Sequence, residues 1–141
     1  MALADKVNQI VQVDDVLTNI IELTIKQLEL FGIELTDTDD FELSLAVNKI
    51  QESIKNTTNQ LSVPEGLTFT AVNMICGEFL HGRNATNRLE GFSVEQALKS
   101  VKVGDATLDF GGGHAPDIGT FINHLLVSGR GDVLSYRKLK W

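Results

Sequence analysis

A chain of 141 residues with a formal net charge of −7 and one cysteine has the length of a single domain, able to bury most of what its unfolded chain exposes, and an intramolecular disulfide is excluded. The charge is uneven: residues 1–56 hold eleven acids against four lysines, while the remainder balances at eight against eight. An acidic half of this kind argues against wrapping nucleic acid, which needs clustered Lys and Arg on the phosphates, and fits a chain that repels DNA or meets a basic partner.

The opening MALADKVNQI carries an early acid and no long apolar run, so no leader is expected and the product is cytosolic when made. The sequons at Asn56 and Asn84 and the Arg130-Gly131-Asp132 tripeptide are then chance matches. Leu3, Val7, Ile10 and Val11 stand at helical spacing, and Asp14 or Asp15 offers a cap for the next helix. Leu17, Ile20, Ile21, Thr24, Leu28 and Phe31 recur at i, i+3, i+4 and i+7 until Gly32 supplies a stop, with Glu22 and Lys26 paired on the outer face.

The acids Asp37, Asp39 and Asp40 lack the calcium-loop pattern and suit the positive end of the next helix dipole. That helix shows a narrow stripe of Leu43, Val47, Ile50 and Ile54 and is expected to fray at Asn56-Thr57-Thr58-Asn59. Next comes SVPEGLTFTAVNMICGEFLHGR, residues 62–83, with Ser62 and Glu65 at capping-box spacing and Pro64 in the first turn. Leu67, Phe69, Ala71, Val72, Met74, Ile75, Cys76, Phe79 and Leu80 cover most of its circumference, and a helix apolar nearly all round belongs inside.

Beyond Arg83 the glycines and asparagines mark a loop, and Ser93 can cap a short helix through Leu98. Val101-Lys102-Val103 and Ala106 to Phe110, joined by Gly104-Asp105, read as a β-hairpin with Val101, Val103, Ala106, Leu108 and Phe110 on one side. A lone hairpin is marginal in water, so this face is expected to dock on helices, a neighbouring subunit or a further partner. Gly111, Gly112 and Gly113 open a flexible joint at 111–115; Lys-Ser or Lys-Thr of a phosphate loop does not come after them, and Asp109-Phe110-Gly111 is a chance match to a kinase motif. Pro116 and Asp117 start a last full helix bearing Ile118, Phe121, Ile122, Leu125 and Leu126. Ser128-Gly129 ends it, and a short turn leads to the basic, aromatic tail Tyr136, Arg137, Lys138, Leu139, Lys140 and Trp141.

The fold expected is mainly α, a compact helical bundle around a buried helix at about 63–82, with one small β-hairpin at about 100–110 and a C-terminal helix plus basic tail. For chemistry the sequence offers little. Cys76 sits among Met74, Ile75 and Phe79 as a packed thiol, and His81, His114 and His124 lie on separate elements without ligand spacing, so neither a metal nor catalysis is expected.

The order of parts is more telling. VPEGL at 63–67, GEFL at 77–80, VKVGDATLDF at 101–110 and YRKLKW at 136–141 together resemble the head-to-tail connector, or adaptor, proteins of long-tailed bacteriophages, also described as head-completion or DNA-packaging proteins. The resemblance spans roughly residues 40–141; the acidic N-terminal segment and the triple glycine depart from it. It implies one connector domain over 1–141, a structural, non-enzymatic subunit without cofactor or membrane contact. It also implies a homo-oligomeric ring, typically of twelve copies, beneath the portal protein, joined to a downstream neck or stopper protein, with double-stranded DNA passing through a neutral or acidic lumen without specific binding. The expected place is the virion neck, reached from the host cytoplasm, and the tail 136–141 is expected to dock on the portal. The other classes open to the sequence are a helical interaction or regulatory module and, less favoured, a small hydrolase using His114 or His124.

Overall fold

The computed structural model describes residues 3–11, 14–89, 92–103 and 117–138, with the backbone alone for 99–103. These residues form seven α-helices: α1 (Leu3–Ile10), α2 (Asp15–Leu30), α3 (Asp40–Thr58), α4 (Thr68–Ala85), α5 (Val94–Val103), α6 (Ile118–Val127) and α7 (Arg130–Ser135). Single 3₁₀ turns, Asp37–Asp39 and Glu65–Leu67, lead into α3 and α4.

Short polar side chains start the helices where the sequence places them. Asp14 Oδ1 accepts the Leu17 N–H at 2.8 Å, Ser93 Oγ the Gln96 N–H at 3.2 Å, and Asp117 Oδ1 the Thr120 N–H at 2.7 Å, each satisfying a donor that the first turn leaves without a partner. The bond from Thr120 also holds the Asp117 carboxyl below its ordinary pKa, so this cap is present at neutral pH and is lost as acid protonates it. Gly32 closes α2 at φ +93°. Its N–H donates to Glu29 O and that of Ile33 to Leu28 O, both at 3.0 Å, the paired bonds of a Schellman stop.

Helix α4 is the axis of the bundle. It packs against α2, α3 and α6; α1 lies across α2 and α3, and α7 against α3. Ala71, Val72, Ile75, Cys76, Phe79 and Leu80 of α4 are all buried, and they meet Leu17, Ile20, Ile21 and Leu28 of α2, Leu43, Val47, Ile50 and Ile54 of α3, and Phe121, Ile122 and Leu125 of α6 in one core. Burying a side chain of this size contributes about 1.5–3 kcal/mol, which gives α4 its hold on three neighbours at once. Phe31 at the end of α2 meets Phe121 edge-on, ring centroids 5.5 Å apart, and Phe92 lies 6.2 Å from the same ring.

The structure corrects the sequence reading at several points. Val101, Lys102 and Val103 form the last turn of α5 and not a strand. Val94, Ala97, Leu98 and Val101 continue a helical spacing that overrides the local alternation. Among the described residues there is no strand, and the rest of the expected hairpin, Leu108 and Phe110 included, lies outside them with Gly111, Gly112 and Gly113. The Ser62–Glu65 capping box does not form: Pro64 is extended at φ −61°, ψ 141°, the chain enters through a 3₁₀ turn, and Thr68 Oγ1 donates to Glu65 O at 2.7 Å. Helix α4 therefore starts at Thr68 and runs on to Ala85, and Phe69 on its first turn is exposed. Helix α3 does not fray at Asn56; Thr58 is buried, its Oγ1 donates to Ile54 O at 2.7 Å, and Asn59 ends the helix in the left-handed conformation.

Close packing of α6 on α4 needs Gly77. A Cβ there would stand 3.0 Å from Leu125 Cβ and 3.0 Å from Leu126 Cγ, inside ordinary contact. Gly82, one turn further on, has nothing within 4 Å. Gly82→Ala is expected to stabilise the fold by roughly 0.5–1 kcal/mol through helix propensity, whereas Gly77→Val is expected to destabilise it by about 1–3 kcal/mol through overpacking. Urea midpoints of the two variants check this, and equal shifts would mean that α6 does not rest on Gly77.

Candidate interaction surfaces

The only described part of the C-terminal tail, Tyr136 to Lys138, is fastened to the end of α3. Lys138 N–H donates to Thr58 O at 2.8 Å, Asn59 Nδ2 donates to Lys138 O at 2.8 Å, and Gln60 Nε2 donates to Tyr136 O at 2.6 Å. The left-handed Asn59 turns the backbone so that the last carbonyls of α3 and the side chains of Asn59 and Gln60 meet this segment. Tyr136 covers Gly66, where a Cβ would collide with the phenol, and a Cβ at Gly129 would likewise collide with Thr70 Cγ2. The junction leaves Leu61, Phe69 and Leu134 exposed. Leu139, Lys140 and Trp141 lie outside the described residues.

A second constellation joins the acidic half to the end of α4. Asp39 receives Arg83 Nη2 on Oδ1 at 2.9 Å and the Thr36 N–H on Oδ2 at 2.8 Å. Glu42 takes both Arg88 Nη1 and Nη2, at 3.2 and 2.9 Å, and stands 3.5 Å from Arg83 Nε. The Arg83 guanidinium also lies over the Phe79 ring, 4.7 Å from its centroid, a cation–π contact that strengthens as water is excluded. Of the aspartates expected to face the α3 dipole, Asp37 pairs with Lys6 at 3.3 Å and Asp40 opens the helix. The sequence points to the dipole for these acids and hides Arg83 and Arg88, since the partners are separated by more than forty positions and no local spacing marks them.

Two surface grooves flank α2. One of about 300 Å³ is lined by Asp14, Leu17, Gln51, Lys55 and Leu61 to Val63, which puts the start of α2 near the end of α3. The other, about 460 Å³, has Leu3, Ala4, Ile25 and Leu35 as apolar walls and Glu22, Lys26 and Glu29 along it.

Cys76 is fully buried, its Sγ donating weakly to Thr24 O at 3.9 Å, and burial pushes the thiol pKa far above its ordinary value. It is a packing residue, since the nucleophile is the thiolate. His81 is exposed on α4, His124 half-buried on α6, and His114 lies outside the described residues. Among the described residues no three His, Cys, Asp or Glu side chains gather as a metal set, and no helix is long and apolar enough to cross a membrane.

Comparison with protein-family models, curated proteins and solved structures finds no match to this chain.

The two arginines differ in burial, and this sets their expected contributions. Arg83 and Asp39 side chains are 13% and 16% exposed, and Arg88 is 51% exposed. Removing one member of a buried pair costs about 3–5 kcal/mol and an exposed pair contributes about 0–1 kcal/mol. Arg83→Ala is therefore expected to destabilise the fold by roughly 2–4 kcal/mol and Arg88→Ala by under about 1 kcal/mol, with only the latter's effect vanishing in high salt. Denaturation of both variants at low and high ionic strength checks the contrast.

Proposed function

We propose that this chain is a structural subunit of an oligomeric ring that sits beneath the portal of a long-tailed phage head, extends its DNA channel and joins it to the neck. The observation that carries the reading is the order of VPEGL, GEFL and YRKLKW along one helical domain. VPEGL leads through the 3₁₀ turn into α4, GEFL lies in that central helix, and YRKLKW begins on the fastened end of α3. VKVGDATLDF contributes less, because its first residues belong to α5.

The surface suits such a role physically. Phe41 and Leu45 stand exposed one turn apart on α3, and Leu61, Phe69 and Leu134 are exposed elsewhere. Isolated exposed apolar side chains are ordinary, but a subunit that buries several faces between copies and partners makes use of them. The acidic half, after Arg83 and Arg88 have taken up Asp39 and Glu42, still carries Glu29, Glu34 and Asp15 on exposed positions. Acids turned toward a lumen would keep duplex DNA sliding without adhesion, within a screening length of about 10 Å.

Native mass spectrometry and negative-stain microscopy of the purified chain, alone and with DNA-filled, portal-bearing capsids, test the reading. Rings, formed either alone or only at the portal vertex, are expected, together with weak duplex binding by the free protein. A strict monomer that does not attach to portal-bearing capsids, or tight salt-sensitive DNA binding, would count against it.

A further inference from the structure

We infer that the chain from Tyr136 to Lys138 is a releasable strap across the connection between α3 and α4, and that the last turn of α3 opens when the strap comes away. The strap holds that connection at both ends. At one end Lys138 N–H donates to Thr58 O, while Asn59 Nδ2 and Gln60 Nε2 donate to Lys138 O and Tyr136 O. At the other the Tyr136 phenol lies over Gly66, in the turn that enters α4. Between them Leu61 stands almost wholly in solvent and Val63 is buried. Leu61, Ser62 and Val63 form one wall of the groove of about 300 Å³, whose other lining residues belong to the start of α2 and the later part of α3.

The strap is lightly held. Its bonds to Asn59 and Gln60 lie at the surface, where water replaces a lost partner and a hydrogen bond contributes little net stability. Tyr136 is 38% exposed, and Arg137 and Lys138 are exposed too, so little apolar area keeps the segment down. Its upstream end is fixed by contrast: Val133 of α7 is buried and its carbonyl accepts the Tyr136 N–H at 3.1 Å, which makes the end of α7 the pivot.

Thr58 couples the strap to α3. It has no exposed surface, so water does not reach its carbonyl, one of those that a helix end leaves without a partner in the helix, and the Lys138 N–H meets it instead. With the strap away, that carbonyl stays buried and unpaired unless the turn opens to water. Local sequence does little to resist opening. Asn56, Thr57, Thr58 and Asn59 are all weak helix formers, and Asn59 sits at φ 55°, a region that residues with a Cβ seldom adopt. Seating of the strap and order in the last turn of α3 are therefore one equilibrium, and a ligand that favours one arrangement of the groove wall favours the matching state of the strap. The strap is a property of the single chain, independent of assembly into rings.

Hydrogen exchange of the full chain, read at single amides by NMR, tests this. The reporters are the amides at 59 and 60, which both donate to Lys55 O. Lys138→Pro removes the donor to Thr58, and Asn59→Gly with Gln60→Ala removes the two side-chain donors while leaving at 59 a residue suited to positive φ. Each change is expected to speed exchange at both reporters about ten-fold or more, as local opening does, with the amides of Ile20 in α2 and Ile75 in α4 unchanged. Lys138→Ala, which keeps the backbone N–H, is expected to match the parent chain. Unaltered exchange at 59 and 60 in the strap variants would show a passive tether and overturn the inference. Faster exchange spread through α2 and α4 would overturn it as well, by making the segment part of the core.

Discussion

The close approach of the C-terminal helices to α4 is the constraint on which the rest of the structure depends. Gly77 lets Leu125 and Leu126 lie against the backbone of α4, Gly129 admits Thr70, and Gly66 lies under Tyr136. These three contacts run from the middle of α4 to the turn before it, so α6, the entry to α7 and the tail base meet one side of the axis. With α2 and α3 on its other faces, α4 can be apolar over most of its surface because no wide face is left for water. Gly77 costs about 1 kcal/mol of helix propensity relative to alanine, and the buried Phe121, Ile122 and Leu125 offset that several times over.

Electrostatics fix the other end of the same helix. The acidic half of the chain would repel itself if its charges stood alone, and Asp39 and Glu42 lie close together at the start of α3. Arg83, late in α4, and Arg88 beyond it bring positive charge to both. The pairing ties the 3₁₀ turn and the first turn of α3 to the end of α4, while Asp39 also caps through the Thr36 N–H. One carboxylate thus serves local and distant order at once. Because Arg83 is nearly enclosed by Asp39, Glu42 and the Phe79 ring, its contribution is expected to be less screened by salt than that of an exposed pair.

The sequence makes the helices legible wherever a short polar acceptor precedes an apolar repeat. Asp14, Ser93 and Asp117 each accept the N–H three residues on, and Gly32 stops α2 in the conformation a glycine favours. It misleads where two local patterns compete. Ser62 and Glu65 satisfy the spacing of a capping box, but Pro64 holds the intervening backbone extended. Val101-Lys102-Val103 alternates like a strand, although the longer repeat from Val94 makes it a helix end. The tertiary role of glycine is not local at all: Gly129 reads as a stop and Gly77 as a gap in an apolar stripe, and only the packed structure reveals what lies over them. The tail is legible in composition, being the one basic, aromatic stretch in an acidic chain, but its attachment through Asn59 and Gln60 is not, because Asn59 reads as part of a fraying helix end and Gln60 carries no local signal.

That attachment bears on how the chain presents itself to others. A free terminus loses conformational entropy on binding, about 1–2 kcal/mol for each residue's backbone, so a long loose tail binds weakly for its contact area. Here the bonds to Thr58, Asn59 and Gln60 and the seat of Tyr136 on Gly66 hold the tail through Lys138. The point at which the chain leaves the fold after Lys138 is therefore fixed relative to α4. A backbone already ordered up to Lys138 loses less entropy in any further contact there than a loose segment would.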